Sequence, residues 1–254
     1  MKQSKSPVFQ TSRRGFTLVE LLVAIMIIMV IAALVILGSR RAVESAKIAN
    51  NVTNLRNLGV IVAITTDDYG SYPPGWSFGK GESWADLVIR HTHGSTITQS
   101  PMLLSPLVAQ DIPANFQQTA ISNYAVSPFI FVQEGALGQR AYQVTPMQLR
   151  RPAEQILLGD ALPRSEAAPY GFSMIVWWAL RTGTGNAGNP PVSPQSRANH
   201  RVQLPTNIAE MEHDGGNGLP AFRNRGKGHF LFADGHVEAL LPDELLYKHF
   251  ALSY

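Results

Sequence analysis

Residues Arg13–Leu37 read RRGFTLVELLVAIMIIMVIAALVIL, and no polar side chain occurs between Leu21 and Leu37. An α-helix needs about 20 consecutive apolar residues to cross a hydrocarbon core ~30 Å thick. Backbone groups in lipid must be satisfied within their own segment, so a helix is the form open to this stretch. One carboxylate, Glu20, stands near the start of the run. An acid at that depth is costly and marks a functional position.

Working outward, residues 1–15 carry Lys2, Lys5, Arg13 and Arg14 and no acid. Positive charge just ahead of an apolar span keeps that end in the cytoplasm and sends the remainder across the membrane. The whole chain has 254 residues and a formal charge of +3, which becomes −1 once the leader is set aside. No basic patch remains to engage nucleic acid. With 45% hydrophobic and 15% charged residues, the composition is that of a globular protein with a membrane segment. The absence of cysteine removes disulfides, thiol catalysis and cysteine-based zinc sites. Three ordinary readings of the N-terminus compete. A secretory signal has a shorter apolar region and a small-residue cleavage site. A twin-arginine signal fits the pair in SRRGF at 12–16 but not the strongly apolar run with Glu20 inside it. The third is an uncleaved signal anchor.

Gly15-Phe16-Thr17-Leu18-Val19-Glu20 resembles the cleavage and methylation signature of type IV prepilins and type II secretion pseudopilins. The resemblance implies that a prepilin peptidase cuts between Gly15 and Phe16 on the cytoplasmic side and that Phe16 is then N-methylated. It places Glu20 at the fifth mature position, where it sets register during filament assembly. The implied partners are further copies of the chain, other pseudopilins, an inner-membrane assembly platform and membrane lipid. The implied location is the inner membrane, in a single pass, with the C-terminal part periplasmic or extracellular. Enzymatic activity and a cofactor are not expected. Cleavage would leave an α-amino group at Phe16, one helical turn from Glu20. That amine, in the same chain or a neighbouring one, would pair the carboxylate, whereas an unpaired carboxylate is costly in low dielectric. Stabilisation of Glu20 by the helix dipole is the plainer alternative. Ala24, Ala32 and Ala33 are small enough for close helix approach.

Beyond Leu37, Ala42, Ala46, Ala49, Val52, Leu55, Gly59 and Val62 recur at three- and four-residue spacing, an amphipathic face. Asp67, Asp68, Gly70, Pro73 and Pro74 then end the helix. A continuous helix from Phe16 to about Thr66 would be ~77 Å long at 1.5 Å per residue. LRNLGVIVAITTDDYGSYPPG at 55–75 also resembles the post-helix region of pseudopilin-like proteins. The expected division is a leader at 1–15, a transmembrane helix at 16–38, an amphipathic continuation at 39–68 and an extracytoplasmic domain at 69–254.

In that domain, Ser83–His91 reads as a short helix and Met102–Leu107 as an apolar patch. Asn123–Val132 reads as a strand that is broken or placed at an edge by Pro128. Gln155–Leu158 is a short strand leading to Gly159-Asp160, and Phe172–Leu180 is a buried strand or inserted hairpin. The stretch 182–197 reads as an exposed loop. HFLFADGHVEALL at 229–241 alternates on both sides of Asp234-Gly235, a hairpin with Phe230 and Phe232 on one face. One long helix followed by short strands predicts an α+β fold, with an antiparallel sheet packed on the helix.

A subset of prepilin-like proteins ends in a histidine, nine residues and Asp-Gly, and RNRGKGHFLFADGHVEAL at 223–240 resembles it. Asn224 stands where that histidine would be. RRPAEQILLGD at 150–160 resembles a strand of the same group. The competing chemical reading is a membrane-anchored hydrolase or metal-binding domain centred on His229, Asp234 and His236, with His213 and Asp214 upstream. For Asp234 the plainer role is the turn, taken as requiring φ > 0 and a short polar side chain. His91 and His93 are read as surface residues of an extended segment, and Trp177-Trp178 as a pair with one ring on each side of a strand. No nucleophile elbow, phosphate-cradling loop or acidic calcium loop occurs.

Overall fold

The computed structural model describes residues 16–77, 80, 82–93, 100–108, 122–127, 129–132, 143–161, 172–175, 217–218 and 220–250. Two compact units are distinguished, Met1–Ala46 and Lys47–Tyr254. One helix, α1, runs from Leu18 to Tyr69. In the first unit its side chains are exposed from Leu18 to Ile36.

In the second unit the buried stripe of α1 is Asn51, Leu55, Leu58, Ile61, Val62, Thr65 and Thr66. This differs from the stripe formed by the apolar residues alone. Ala42, Ala46 and Ala49 are exposed, and Val52 is half-buried. The helix is turned so that a polar residue, Asn51, occupies the first buried position. Gly70 ends α1 with a φ of 71°, a conformation in which a side chain is strained.

Two short paired strands follow, β1 (Trp76–Ser77) and β2 (Glu82–Ser83), and then α2 (Trp84–His93). Ser83 caps α2. Its backbone N–H and hydroxyl both donate to Asp86 Oδ2 at 2.7 Å, and its Oγ accepts from the Asp86 N–H at 3.3 Å. His91 and His93 therefore sit in the last turn of a helix, not in an extended segment. Trp84, Ala85, Val88 and Ile89 of α2 join Leu55, Leu58, Ile61 and Val62 of α1 in one core.

The main sheet contains β3 (Tyr124–Val126), β4 (Ile156–Asp160), β5 (Phe172–Ile175), β6 (Asn217–Gly218), β7 (Gly228–Phe232) and β8 (Val237–Leu240). Their spatial order is β6-β5-β3-β4-β7-β8. The four strands β3, β4, β7 and β8 pair antiparallel, as expected. β5 and β6 add on the far side of β3 as short parallel strands. β3 is only three residues long and lies between β5 and β4, so it is not the edge strand expected, and Pro128 lies outside the described residues. Residues 176–216, including Trp177, Trp178, His213 and Asp214, lie outside the described residues.

β7 divides the core. Leu231 meets α1 so closely at Gly59 that an added Cβ would fall 2.7 Å from its Cδ2. On the opposite face Phe230 lies over its cross-strand partner Gly159, where an added Cβ would be 2.2 Å from Cδ1. The β7–β8 turn needs positive φ only at Gly235, where it is 91°. Phe232 N–H donates to His236 O and Gly235 N–H to Phe232 O, both at 2.9 Å. The loop is thus the three-residue hairpin form with glycine in the bulge position, and Asp234 is not in the left-handed region.

The chain returns beneath this hairpin. His249 is buried, its Nδ1 accepts the Leu246 N–H at 3.2 Å, and its ring stands edge-on to Phe232. Burial, reinforced by the Lys248 charge and opposed by Glu154, holds the His249 pKa down at about 4. The unfolded chain, with a histidine near its usual 6.5, then binds the extra proton first as pH falls. Stability contributed by neutral His249 is present above pH 6.5 and is lost between about 6.5 and 4, by up to ~3 kcal/mol. A urea midpoint that drops over this window, and a flatter profile in His249→Phe, are the expected results.

Candidate functional site

Two places combine unusual chemistry with defined geometry. The first is the start of α1. Thr17 is its N-cap, and its N–H and hydroxyl donate to Glu20 Oε2 at 2.9 and 2.8 Å. Its Oγ1 accepts the Glu20 N–H at 3.2 Å. This reciprocal arrangement is a capping box, which satisfies amides that the first helical turn leaves unpaired. Thr17 is thus a partner of Glu20 beyond the amine and the helix dipole, and T-x-x-E at 17–20 is its signal in the sequence. Phe16 lies just ahead of the helix with its ring exposed, and Gly15 lies outside the described residues. α1 is long and apolar enough to cross a membrane by length and composition, and its apolar window is wholly exposed.

The second place is a sealed polar cluster in the domain core. Asp160, at the end of β4, is fully buried. Asn51 Nδ2 donates to its Oδ1 and Oδ2 at 3.0 and 3.2 Å. The His229 backbone N–H donates to Oδ2 at 2.9 Å, and His229 Nδ1 lies 3.1 Å from the same oxygen. On the other side of Asn51, Ser105 Oγ and Tyr124 OH both donate to Oδ1 at 2.7 Å. The amide orientation follows, because only its NH2 end can face a carboxylate. Burial, and after it the Asp160 charge, push the Tyr124 hydroxyl pKa up, so it remains a donor. Burial lowers the Arg223 pKa, and the Asp160 charge opposes that shift.

Asp160 beside His229 has the form of an orienting pair in a hydrolytic site. Yet His229 is 2% exposed, and its Nε2 faces the Asn224 amide at 3.4 Å. No substrate can reach either nitrogen in this arrangement. Asn224, the residue standing in the histidine position of the C-terminal motif, opens a tight turn. It exchanges backbone bonds with Lys227 across Arg225 and Gly226, both at positive φ. His229, Asp234 and His236 do not converge. Asp234 and His236 contact each other at the exposed hairpin turn, where His236 also stacks on Phe232, while His229 turns into the core. Among the described residues no group of three or more His, Asp or Glu side chains is placed to hold a metal ion. Asn51, Ser105 and Tyr124 belong to no local motif, and nothing in the sequence marks them as members of one cluster.

The model of the prokaryotic N-terminal methylation motif matches residues 10–36. No curated protein and no solved structure matches the chain. The proteins that carry this motif in pilin form are structural rather than enzymatic. The motif and the exposed apolar helix are consistent with membrane anchoring, and together they support a type IV pilin- or pseudopilin-like protein.

Proposed function

We propose that the chain is a structural subunit of a type IV pilus-like or type II secretion pseudopilus-like filament. Prepilin peptidase removes residues 1–15 by cutting between Gly15 and Phe16, and Phe16 is N-methylated. Residues 16–38 hold the processed subunit in the inner membrane and pack against neighbouring subunits during assembly. Residues 39–68 continue the helix, and 69–254 form a domain outside the cytoplasm that meets other pseudopilins. An inner-membrane platform drives assembly. The observation that carries this reading is the coincidence of the motif at 10–36 with a helix whose side chains are exposed from Leu18 to Ile36. Such a surface demands lipid or other helices.

N-terminal sequencing and intact mass of the membrane-purified protein test it. The expected product begins at Phe16 and carries one added methyl group. A chain that keeps Met1, or one cut near residue 38, overturns the proposal.

A further inference from the structure

A cavity of about 500 Å³ lies where the chain leaves α1, lined by residues from 69–77, from α2 and from the segments near 130 and 143. All of them belong to the second unit. Leu87 and Ile130 supply apolar surface, and Tyr69 offers a ring that is 64% exposed. Ser71 and Tyr72 differ from these. They are only 4% and 8% exposed, yet neither hydroxyl has a hydrogen-bond partner among the described residues. The position of Tyr72 is fixed by its neighbours. Its N–H donates to Val144 O at 2.8 Å, and its ring centre lies 5.7 Å from that of Phe131. Burial pushes its hydroxyl pKa up, so the O–H stays a donor. Buried polar groups are nearly always hydrogen-bonded, and two adjacent exceptions on one cavity point to a ligand that completes them.

We infer that this cavity binds a short saccharide, one or two sugar rings in size. Sugar hydroxyls both donate and accept, and so do the Ser71 and Tyr72 hydroxyls and the Gln143 amide that line it. Arg90 and Glu82 form an ion pair in the same lining, which sets donors beside an acceptor with no net charge. The ring of Tyr69 gives the carbon face of a sugar an apolar surface and has few torsions to immobilise. The volume falls within the ~300–1,000 Å³ usual for small-ligand sites. Other chemistries fit less well. An apolar ligand leaves both buried hydroxyls unpaired. A phosphate meets the Glu82 carboxylate and finds Arg90 engaged, which leaves it Lys80. A metal ion finds one carboxylate, and an arginine already holds it. The assignment goes beyond the filament reading and does not depend on it.

The full-length chain, purified in a detergent without a sugar headgroup, is screened on an array of mono- to tetrasaccharides built from hexose, N-acetylhexosamine and uronic acid units. The strongest binder is then titrated calorimetrically. At least one saccharide is expected to bind with a Kd below about 1 mM. Tyr72→Phe keeps the ring and removes only the hydroxyl. It should weaken binding about three- to tenfold, the effect of one hydrogen bond, and leave the urea midpoint unchanged or higher. Tyr69→Ala should weaken binding by a similar factor without altering the midpoint, because its ring is exposed. A folded chain that retains no saccharide, or retains only extended peptides from a matched peptide array, overturns the proposal. Saccharide binding that both variants preserve places the ligand elsewhere and overturns the cavity as its site. A urea midpoint that falls in Tyr72→Phe shows that the hydroxyl has a structural partner, and overturns its role as a ligand contact.

Discussion

Asp160→Ala should destabilise the second unit by about 3–5 kcal/mol, because it strips the acceptor from several buried donors at about 1–3 kcal/mol each. Against a total stability of ~5–15 kcal/mol for a domain, that is enough to empty much of the folded population on mild warming. The reason lies in what remains. Without the carboxylate, Asn51 Nδ2, the His229 backbone N–H and the Nδ1 group of His229 lose their shared partner inside the buried core. Each buried donor left unpaired costs about 1–3 kcal/mol. Asp160→Asn keeps the volume and one acceptor oxygen, so its cost should be smaller. Urea unfolding of the detergent-solubilised chain, followed by tryptophan fluorescence, reads both variants, since Trp84 is fully buried. Pairing Asp160→Ala with Asn51→Leu tests whether the two act together, because the double variant should cost less than the sum. If Asp160→Ala costs under about 1 kcal/mol, the cluster does not tie α1 to the sheet.

This cluster also shows where legibility in the sequence stops. The hairpin at 228–240 is legible because alternation and Asp-Gly are local signals, and only the turn form differs from expectation: Gly235 alone takes positive φ. The end of α1 is legible for the same reason. Its buried stripe is not, because apolar periodicity passes over the position four residues before Leu55, which is Asn51. A buried asparagine looks like a surface residue until its partners are known, and those partners are remote. Asp160 is 109 residues away from Asn51, and His229 is 178 residues away. In the sequence Gly159-Asp160 stands just past the short strand read at Gln155–Leu158. In the fold Gly159 makes room for Phe230, and Asp160 becomes the centre of a network.

The parallel pairing of β5 and β6 is illegible for a related reason. β6 is two residues long, Asn217–Gly218, and has no apolar pattern of its own. It is a strand only because β5 lies beside it. At the N-terminus the balance reverses. Gly15-Phe16 and Glu20 stand out in the sequence because the apolar run and the methylation motif at 10–36 are both contiguous. The capping box is harder to see there, because Thr17 and Glu20 fall inside the cleavage signature and an acid in that setting points first to an amine or to the helix dipole.

Pairing with an amine and capping of α1 lead to different results when Glu20 is substituted. Glu20→Ala should leave cleavage after Gly15 unchanged but reduce sheared, sedimentable filament by more than about tenfold, since the unpaired partner charge would be buried in low dielectric. Glu20→Gln is the sharper variant. Both Thr17 bonds run to one oxygen of Glu20, and a glutamine amide oxygen can take its place. The helix start therefore survives in Glu20→Gln while the negative charge does not. If Glu20 serves assembly by meeting the α-amino group of Phe16 on a neighbouring subunit, Glu20→Gln should fail as badly as Glu20→Ala. If the carboxylate only caps α1, Glu20→Gln should form filaments at the normal level and Glu20→Ala should not. Thr17→Ala supplies the converse, since it removes the box and keeps the charge. Under the assembly reading Thr17→Ala chains still form filaments, because the carboxylate released from Thr17 is then freer to meet an amine. Normal filament from both Glu20 variants would remove Glu20 from the assembly mechanism and leave the apolar surface of Leu21–Ile36 to set register without it.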